Sequence, residues 1–208
     1  GNRIVFSSNR TGYYELYQRP SSGTGDDELL LETRTSKIPT DWSQDGRHIA
    51  YLDILPTTQF DLSVLPLYGN RKPQPFAQRE FNEKQGRLSP DGRWMAYASD
   101  ETGRYEVYVQ SFPAGGGKWQ ISSGGGEQPS WRSDGKELFY VGEGQKLIVV
   151  GVDARSSTFR ANTSRELFRM HSPVSSTYTR NEYAGTPDGQ RFLVNTLVGT
   201  PASSPITV

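Results

Sequence analysis

The sequence predicts an all-β chain folded as a β-propeller of four-stranded antiparallel blades. About five blades are present, as part of a larger ring. Three observations carry that expectation. First, an Asp-Gly pair recurs: Gly46, Gly92, Gly135 and Gly189 stand 46, 43 and 54 residues apart, and Gly1 stands 45 before Gly46. That period is close to the length of a four-stranded blade. Second, each of these glycines is followed at fixed spacing by three consecutive apolar or aromatic residues. Third, 22 glycines and 13 prolines in 208 residues supply many turns, and many turns mean short strands.

The strand after each glycine, strand B, is the best defined. Its triplets are Ile4-Val5-Phe6, Ile49-Ala50-Tyr51, Met95-Ala96-Tyr97, Leu138-Phe139-Tyr140 and Phe192-Leu193-Val194. Consecutive strand residues point to opposite faces, so three apolar residues in a row mean a strand covered on both sides. A two-layer sandwich would leave one face wet and show alternation. Sheets stacked face to face around a ring cover both faces of every blade.

Strand C follows as "YELY" (Tyr14 to Tyr17), "FDLSVL" (Phe60 to Leu65), "YEVYV" (Tyr105 to Val109) and "KLIVV" (Lys146 to Val150), with "PITV" at the end as its start in the fifth unit. The first three share an aromatic-acid-apolar order. Strand D reads "ELLLE", "QPFA", "WQIS" and "RELFR". Strand A, before each Asp-Gly, is marked by Trp42, Leu88 and Trp131, with Gly185 in that place in the most divergent unit. Blade one then lacks strand A and blade five lacks strand D. The approximate blades are 1–36, 37–82, 83–125, 126–172 and 173–208. No segment reads as a helix longer than a turn.

The turns have their own chemistry. In "SPDG", Pro90 presets φ, Asp91 accepts hydrogen bonds from nearby amides and Gly92 supplies a positive φ on leaving the turn. "SQDG", "RSDG" and "TPDG" read the same way. Their aspartates are turn residues rather than metal ligands or catalytic acids.

Composition excludes several classes of function. Lys plus Arg and Asp plus Glu number 23 each, so there is no basic footprint for nucleic acid or for a lipid surface. No run of eighteen apolar residues exists to insert into a membrane. Without cysteine there is no disulfide, thiolate nucleophile or cysteine-ligated zinc. The opening "GNRIVF" reads as the inside of a strand pair, as in a trimmed chain.

The pattern "WSQDGRHIAY" (Trp42 to Tyr51) and the stretch "LSPDGRWMAYASDETGRYEVYV" (Leu88 to Val109) resemble TolB-type, WD-like β-propeller repeats, and the resemblance covers essentially the whole chain. "IVFSSNRTGYYELYQ", "GGKWQISSGGGEQPSWRSDGKELFY" and "GQRFLVNT" resemble more closely the C-terminal propeller of bacterial serine/threonine protein kinases. That resemblance implies a non-enzymatic sensor or protein-interaction module on the extracytoplasmic side. The kinase domain itself is absent: there is no Gly-rich nucleotide loop, no "HRD" and no "DFG". Similar repeats occur in propellers flanking peptidase active sites, which gives the alternative reading, a propeller beside a peptidase or polysaccharide lyase site.

No constellation predicts catalysis, a cofactor or a metal. His48 stands in a column with Arg3, Trp94, Glu137 and Arg191 and reads as solvent-facing. His171 lies in the Ser-rich "RMHSPVSS" with no "GxSxG" elbow nearby. The glycine runs 115–117 and 124–126 lack the phosphate-loop pattern and read as connections between strands. What remains is loop surface, the usual place for recognition on a rigid scaffold. The B–C and D–A loops share one face, and Arg10, Asp100, Arg104, Glu127 and Gln128 are the candidate recognition residues, for a protein or small ligand. The incomplete end blades predict either association through open strand edges or a longer chain that closes the ring.

Overall fold

The computed structural model describes residues 1–57, 59–77, 80–154, 158–171 and 180–196. They form five antiparallel sheets. Blade one contains β1 (Arg3–Ser8), β2 (Glu15–Pro20) and β3 (Glu28–Leu31), in the order β1-β2-β3. Blade two contains β4 (Ser36–Trp42), β5 (His48–Leu55), β6 (Gln59–Pro66) and β7 (Gln74–Ala77), again in sequence order. Blade three runs through β8 (Glu83–Leu88), β9 (Trp94–Ser99), β10 (Glu106–Ser111) and β11 (Lys118–Gln120). Blade four has β12 (Gly126–Trp131), β13 (Glu137–Gly142), β14 (Lys146–Asp153) and β15 (Arg160–Arg169). In blade five, β16 (Tyr183–Gly185) pairs with β17 (Phe192–Val194). The expected strand at "PITV" lies outside the described residues. Helix among the described residues is a single 3₁₀ turn, Glu143–Gln145.

The hairpins between strands A and B close as the turn chemistry requires. The N–H of each glycine donates to the carbonyl three residues back: Gly46 to Ser43 at 2.8 Å, Gly92 to Ser89 at 2.9 Å, Gly135 to Arg132 at 2.9 Å and Gly189 to Thr186 at 2.8 Å. The four glycines lie at φ between 69° and 73°. Each aspartate carboxylate accepts the N–H two residues on, at 3.0–3.1 Å.

Hydrophobic clusters form between blades rather than within them, and the strand B triplets show why. Ile49 and Tyr51 pack with Leu16 and Leu30 of blade one. Ala50, between them in sequence, packs with Met95 and Tyr97 of blade three. Ala96 in turn packs with Leu138 and Tyr140 of blade four, and Phe139 packs with Tyr183 of blade five. The middle residue of a triplet faces the following blade and its flanking residues face the preceding one. At the two ends of the arc one face goes uncovered: Ile4 is 49% exposed and Leu193 is 78% exposed.

The column containing His48 departs from the solvent-facing expectation at its rings, while Arg3 and Arg191 in the same column are exposed. Trp94 in that column is 3% exposed. Its ring meets Trp119 and Phe159 edge-on, at 5.4 and 5.5 Å between centroids. His48 is half-buried, edge-on to Tyr68 at 5.4 Å and to Phe112 of blade three at 5.1 Å. The column lies at the joint with the next blade, where a large ring is covered by residues distant in sequence. His171 is exposed.

Candidate recognition site on the loop face

The connection between β9 and β10 is a tight turn, Asp100 to Gly103, closed by the Gly103 N–H on the Asp100 carbonyl at 2.8 Å. The carboxylate of Asp100 accepts both the main-chain N–H and the side-chain amide of Asn82, each at 2.8 Å. The turn is thereby tied to the entry of β8 in the same blade. Glu101 pairs with Lys118, whose ammonium lies 4.3 Å from the centroid of Tyr108.

Arg104 follows the turn, and its Nε–H donates to Glu106 Oε1 at 2.9 Å. Glu106 is 1% exposed while Arg104 remains 63% exposed. Glu106 gathers the connection from β11 to β12 as well. Its carboxylate accepts the N–H groups of Gly124 and Gly125 at 2.9 Å and the hydroxyl of Ser122. Burial pushes the Glu106 carboxyl up, but the Ser122 hydroxyl, the two glycine amides and Arg104 outweigh it and hold the group below its ordinary value. Here lies the reason for an acid early in strand C: it satisfies amides of a glycine-rich segment that has no ladder partner.

Glu127 and Gln128 open β12, at the joint between blades three and four. Glu127 accepts from Lys84 of β8 at 3.0 Å, and the Lys84 ammonium lies 3.6 Å from the centroid of the Tyr105 ring. Tyr105 in turn holds the Gly126 N–H on its carbonyl at 2.9 Å. Gln128 is 9% exposed. Its N–H donates to Gln85 Oε1 at 2.8 Å, and its own Oε1 accepts the Glu182 N–H at 2.7 Å.

The structure thus brings Asp100, Arg104, Glu127 and Gln128 into one neighbourhood, with Lys84, Tyr105 and Glu106 at its centre. Arg10 is placed apart, in blade one. Its guanidinium lies 4.4 Å from the Tyr17 ring centroid and donates to Asp27 at 2.8 Å and Ser8 at 3.1 Å. Sequence reasoning overlooked Lys84 and Gln85. The available signal was spacing: Gln85 and Gln128 stand as far apart as Gly92 and Gly135. Among the described residues no three His, Asp or Glu side chains converge as metal ligands would.

Five antiparallel sheets stacked face to face, the inner three covered on both sides, define a β-propeller. The fold is of the TolB type. It is similar to a putative TolB from Agrobacterium tumefaciens, with a TM-score of 0.68 and 18% identity over 94% of this chain and 70% of that one. It is similar also to TolB from Acinetobacter baumannii, with a TM-score of 0.69 and 19% identity over 95% of this chain and 47% of that one. A puromycin-hydrolysing peptidase from Mycobacterium tuberculosis shares the fold at a TM-score of 0.60 and 13% identity, over 91% of this chain and 34% of that one. The chain thus spans less than half of the Acinetobacter protein and about a third of the peptidase. No protein-family model and no curated protein matches the sequence.

Proposed function

We propose that this propeller is a non-enzymatic protein-interaction module, and that Arg104 presents its guanidinium to an acidic group of the partner. The observation that carries this reading is the Arg104–Glu106 pair. One edge of the guanidinium is fixed by a buried carboxylate while the side chain stays 63% exposed. A guanidinium held in this way loses less side-chain entropy on binding than a free one. The ion pairs Lys84–Glu127 and Lys118–Glu101, on adjoining segments, add charges of both signs at the same blade and its joint with blade four.

The resemblance to propellers that follow bacterial kinase domains supports a sensor role beside such a kinase, on the extracytoplasmic side. Among the described residues no helix is long and apolar enough to cross a membrane. A capture experiment with the purified chain and its Arg104→Ala form tests the interaction reading. The expected outcome is a partner retained by the first and lost by the second, with both forms folded at the temperature of the capture. A partner retained equally by both sinks the role of Arg104. An upstream sequence that encodes no kinase sinks the kinase link.

A second reading, a propeller flanking a peptidase or polysaccharide lyase site, draws on the fold shared with the Mycobacterium tuberculosis peptidase. It expects turnover of peptide or pectin-like substrates when the chain is joined to its neighbouring domain. Turnover by this chain without that domain would overturn the non-enzymatic reading.

A further inference from the structure

Blades three and four part on the face that carries the B–C and D–A connections. The cleft between them has a volume near 530 Å³. Small-molecule sites run from roughly 300 to 1,000 Å³. One wall is the glycine-rich connection from β11 to β12, where the Gly124 and Gly125 amides are fixed on Glu106 at 2.9 Å. The other wall is the turn from β13 to β14 together with the end of β15. Ile121 and Ile148 supply apolar surface between the two.

The charges of the cleft are only partly paired. Lys146 and Arg169 stand directly opposite each other in the β14–β15 ladder. Like charges in that relation repel. Glu166 neutralises Lys146, with Oε2 2.9 Å from the ammonium. Arg169 receives no such partner: among the described residues no carboxylate comes within ion-pair distance of it, and residues 170–179 contain no Asp or Glu. Its guanidinium lies over the turn, with Nη2 3.6 Å from the place a Cβ would take on Gly144.

Glu143 supplies the opposite charge. Its Cβ lies 4.0 Å from the place a Cβ would take on Gly125, so it stands toward the glycine wall. Among the described residues no cation pairs with it. The cleft therefore holds one unpaired cation and one unpaired anion, on neighbouring segments yet too far apart to pair with each other. That balance decides among ligands. An anion gains Arg169 but meets Glu143, and a cation gains Glu143 but meets Arg169. A molecule with one charge of each sign satisfies both.

We propose that this cleft binds a small zwitterion that bears an ammonium and a carboxylate, as a free α-amino acid or a short peptide with free ends does. The carboxylate goes to Arg169, whose guanidinium can hold two oxygens side by side. The ammonium goes to Glu143, and an aliphatic side chain covers Ile121 and Ile148. The site is separate from the exposed guanidinium of Arg104 and does not depend on the interaction reading.

The test titrates the ¹⁵N-labelled chain with L-leucine and with L-leucyl-L-leucine, following the amide cross-peaks of Gly124, Gly125 and Gly144. At least one of the two should shift these peaks saturably at about 10 mM or below. Tighter binding of leucine identifies an amino-acid site, and tighter binding of the dipeptide a peptide site. Acetylating the ammonium or amidating the carboxylate of the tighter ligand should weaken binding about tenfold, the scale of one hydrogen-bonded charge. Arg169→Gln should abolish the preference for a free carboxylate and keep that for a free ammonium. Glu143→Gln should do the reverse. Three results overturn the proposal: no saturable shift with either ligand, equal affinity for capped and uncapped forms on the unaltered chain, or an unchanged preference in either variant.

Discussion

The side-chain carbonyl of Gln85 accepts the main-chain N–H of Gln128 at 2.8 Å, across the joint between blades three and four. Gln128 repeats the contact with Glu182 at 2.7 Å, across the joint between blades four and five. Both glutamines lie in the left-handed region, at φ of 59° and 58°, where the pairing between strands A and B is interrupted by a bulge. A residue in that conformation leaves the ladder and can direct its side chain to the neighbouring blade. The strain of a left-handed glutamine is offset by an amide that would otherwise be buried without an acceptor.

Gln85→Ala should therefore destabilise the chain by about 1–3 kcal/mol, because the Gln128 N–H loses its acceptor in a buried joint. Gln85→Gly loses the same bond but relieves the left-handed strain, so it should be more stable than the alanine variant by about 1 kcal/mol. Urea melts of the two variants check both the sign and the order. Equal midpoints would refute the strained-bulge account.

Gly92 lies at φ 69°, and a Cβ added there meets nothing within 4 Å. Gly92→Ala should cost about 1 kcal/mol, from backbone conformation with no steric contribution. Gly126 has ordinary φ, but a Cβ there would approach Ser122 Cβ to 2.7 Å, in the segment that Glu106 organises. Gly126→Ala should be the more costly of the two, and denaturant melts of both variants rank them.

Low pH should weaken the hairpins. Hydrogen bonds from Arg132 Nε and Nη2, at 2.7 and 2.8 Å, hold the Asp134 carboxyl down at about 2. Asp45, held by the Ser43 hydroxyl, and Asp188, held by the Thr186 hydroxyl, are also lowered. Burial pushes Asp91 up, yet Ser89 and Arg93 outweigh it and leave it lowered. A folded-state value below the unfolded one gives stability that is present above the unfolded value. That stability is lost as pH falls through the folded value. For Asp134 the window runs from its ordinary value of 3.8 down to about 2. Thermal melts through this range should show a falling midpoint, and Asp134→Asn should flatten the slope.

Glu106→Gln keeps the shape of the side chain but sets an NH₂ or a neutral carbonyl against two glycine N–H donors and Arg104. The expected loss is about 2–3 kcal/mol, the scale of hydrogen bonds to a charged group. Arg104 loses its anchor at the same time, so partner capture should fall even where the variant remains folded. Melting curves and capture on the same preparation separate the two effects.

The repeat made most of the fold legible. An Asp-Gly turn followed by three apolar residues fixes a hairpin and a doubly covered strand, and both depend on local spacing. The strand order A to D follows from the same unit. The joints were less legible. Trp94 and His48 read as exposed because their cover comes from Phe159 and Phe112, which lie far along the chain. Gln128 reads as a polar loop residue, and nothing in "EQP" announces a left-handed backbone. Asp100 and Glu127 were legible as loop charges, but their partners Asn82 and Lys84 were not, because each pairing crosses a turn or a blade boundary. Arg104 and Glu106 stand two residues apart, and what the sequence hid there was the burial of Glu106 under the 122–125 segment.

The glutamine contacts have a mechanical consequence. They pin neighbouring blades together at the inner radius, where strand A lies. Toward the rim, blades three and four separate around a cleft lined by Ile121, Gly124, Tyr140, Lys146 and Arg169. The rest of that joint is filled by Trp94, Trp119, Tyr140 and Phe159, so the two blades also meet across a packed apolar face. A load that slides one blade past the next then has to break the Gln85–Gln128 and Gln128–Glu182 contacts and unseat these rings together.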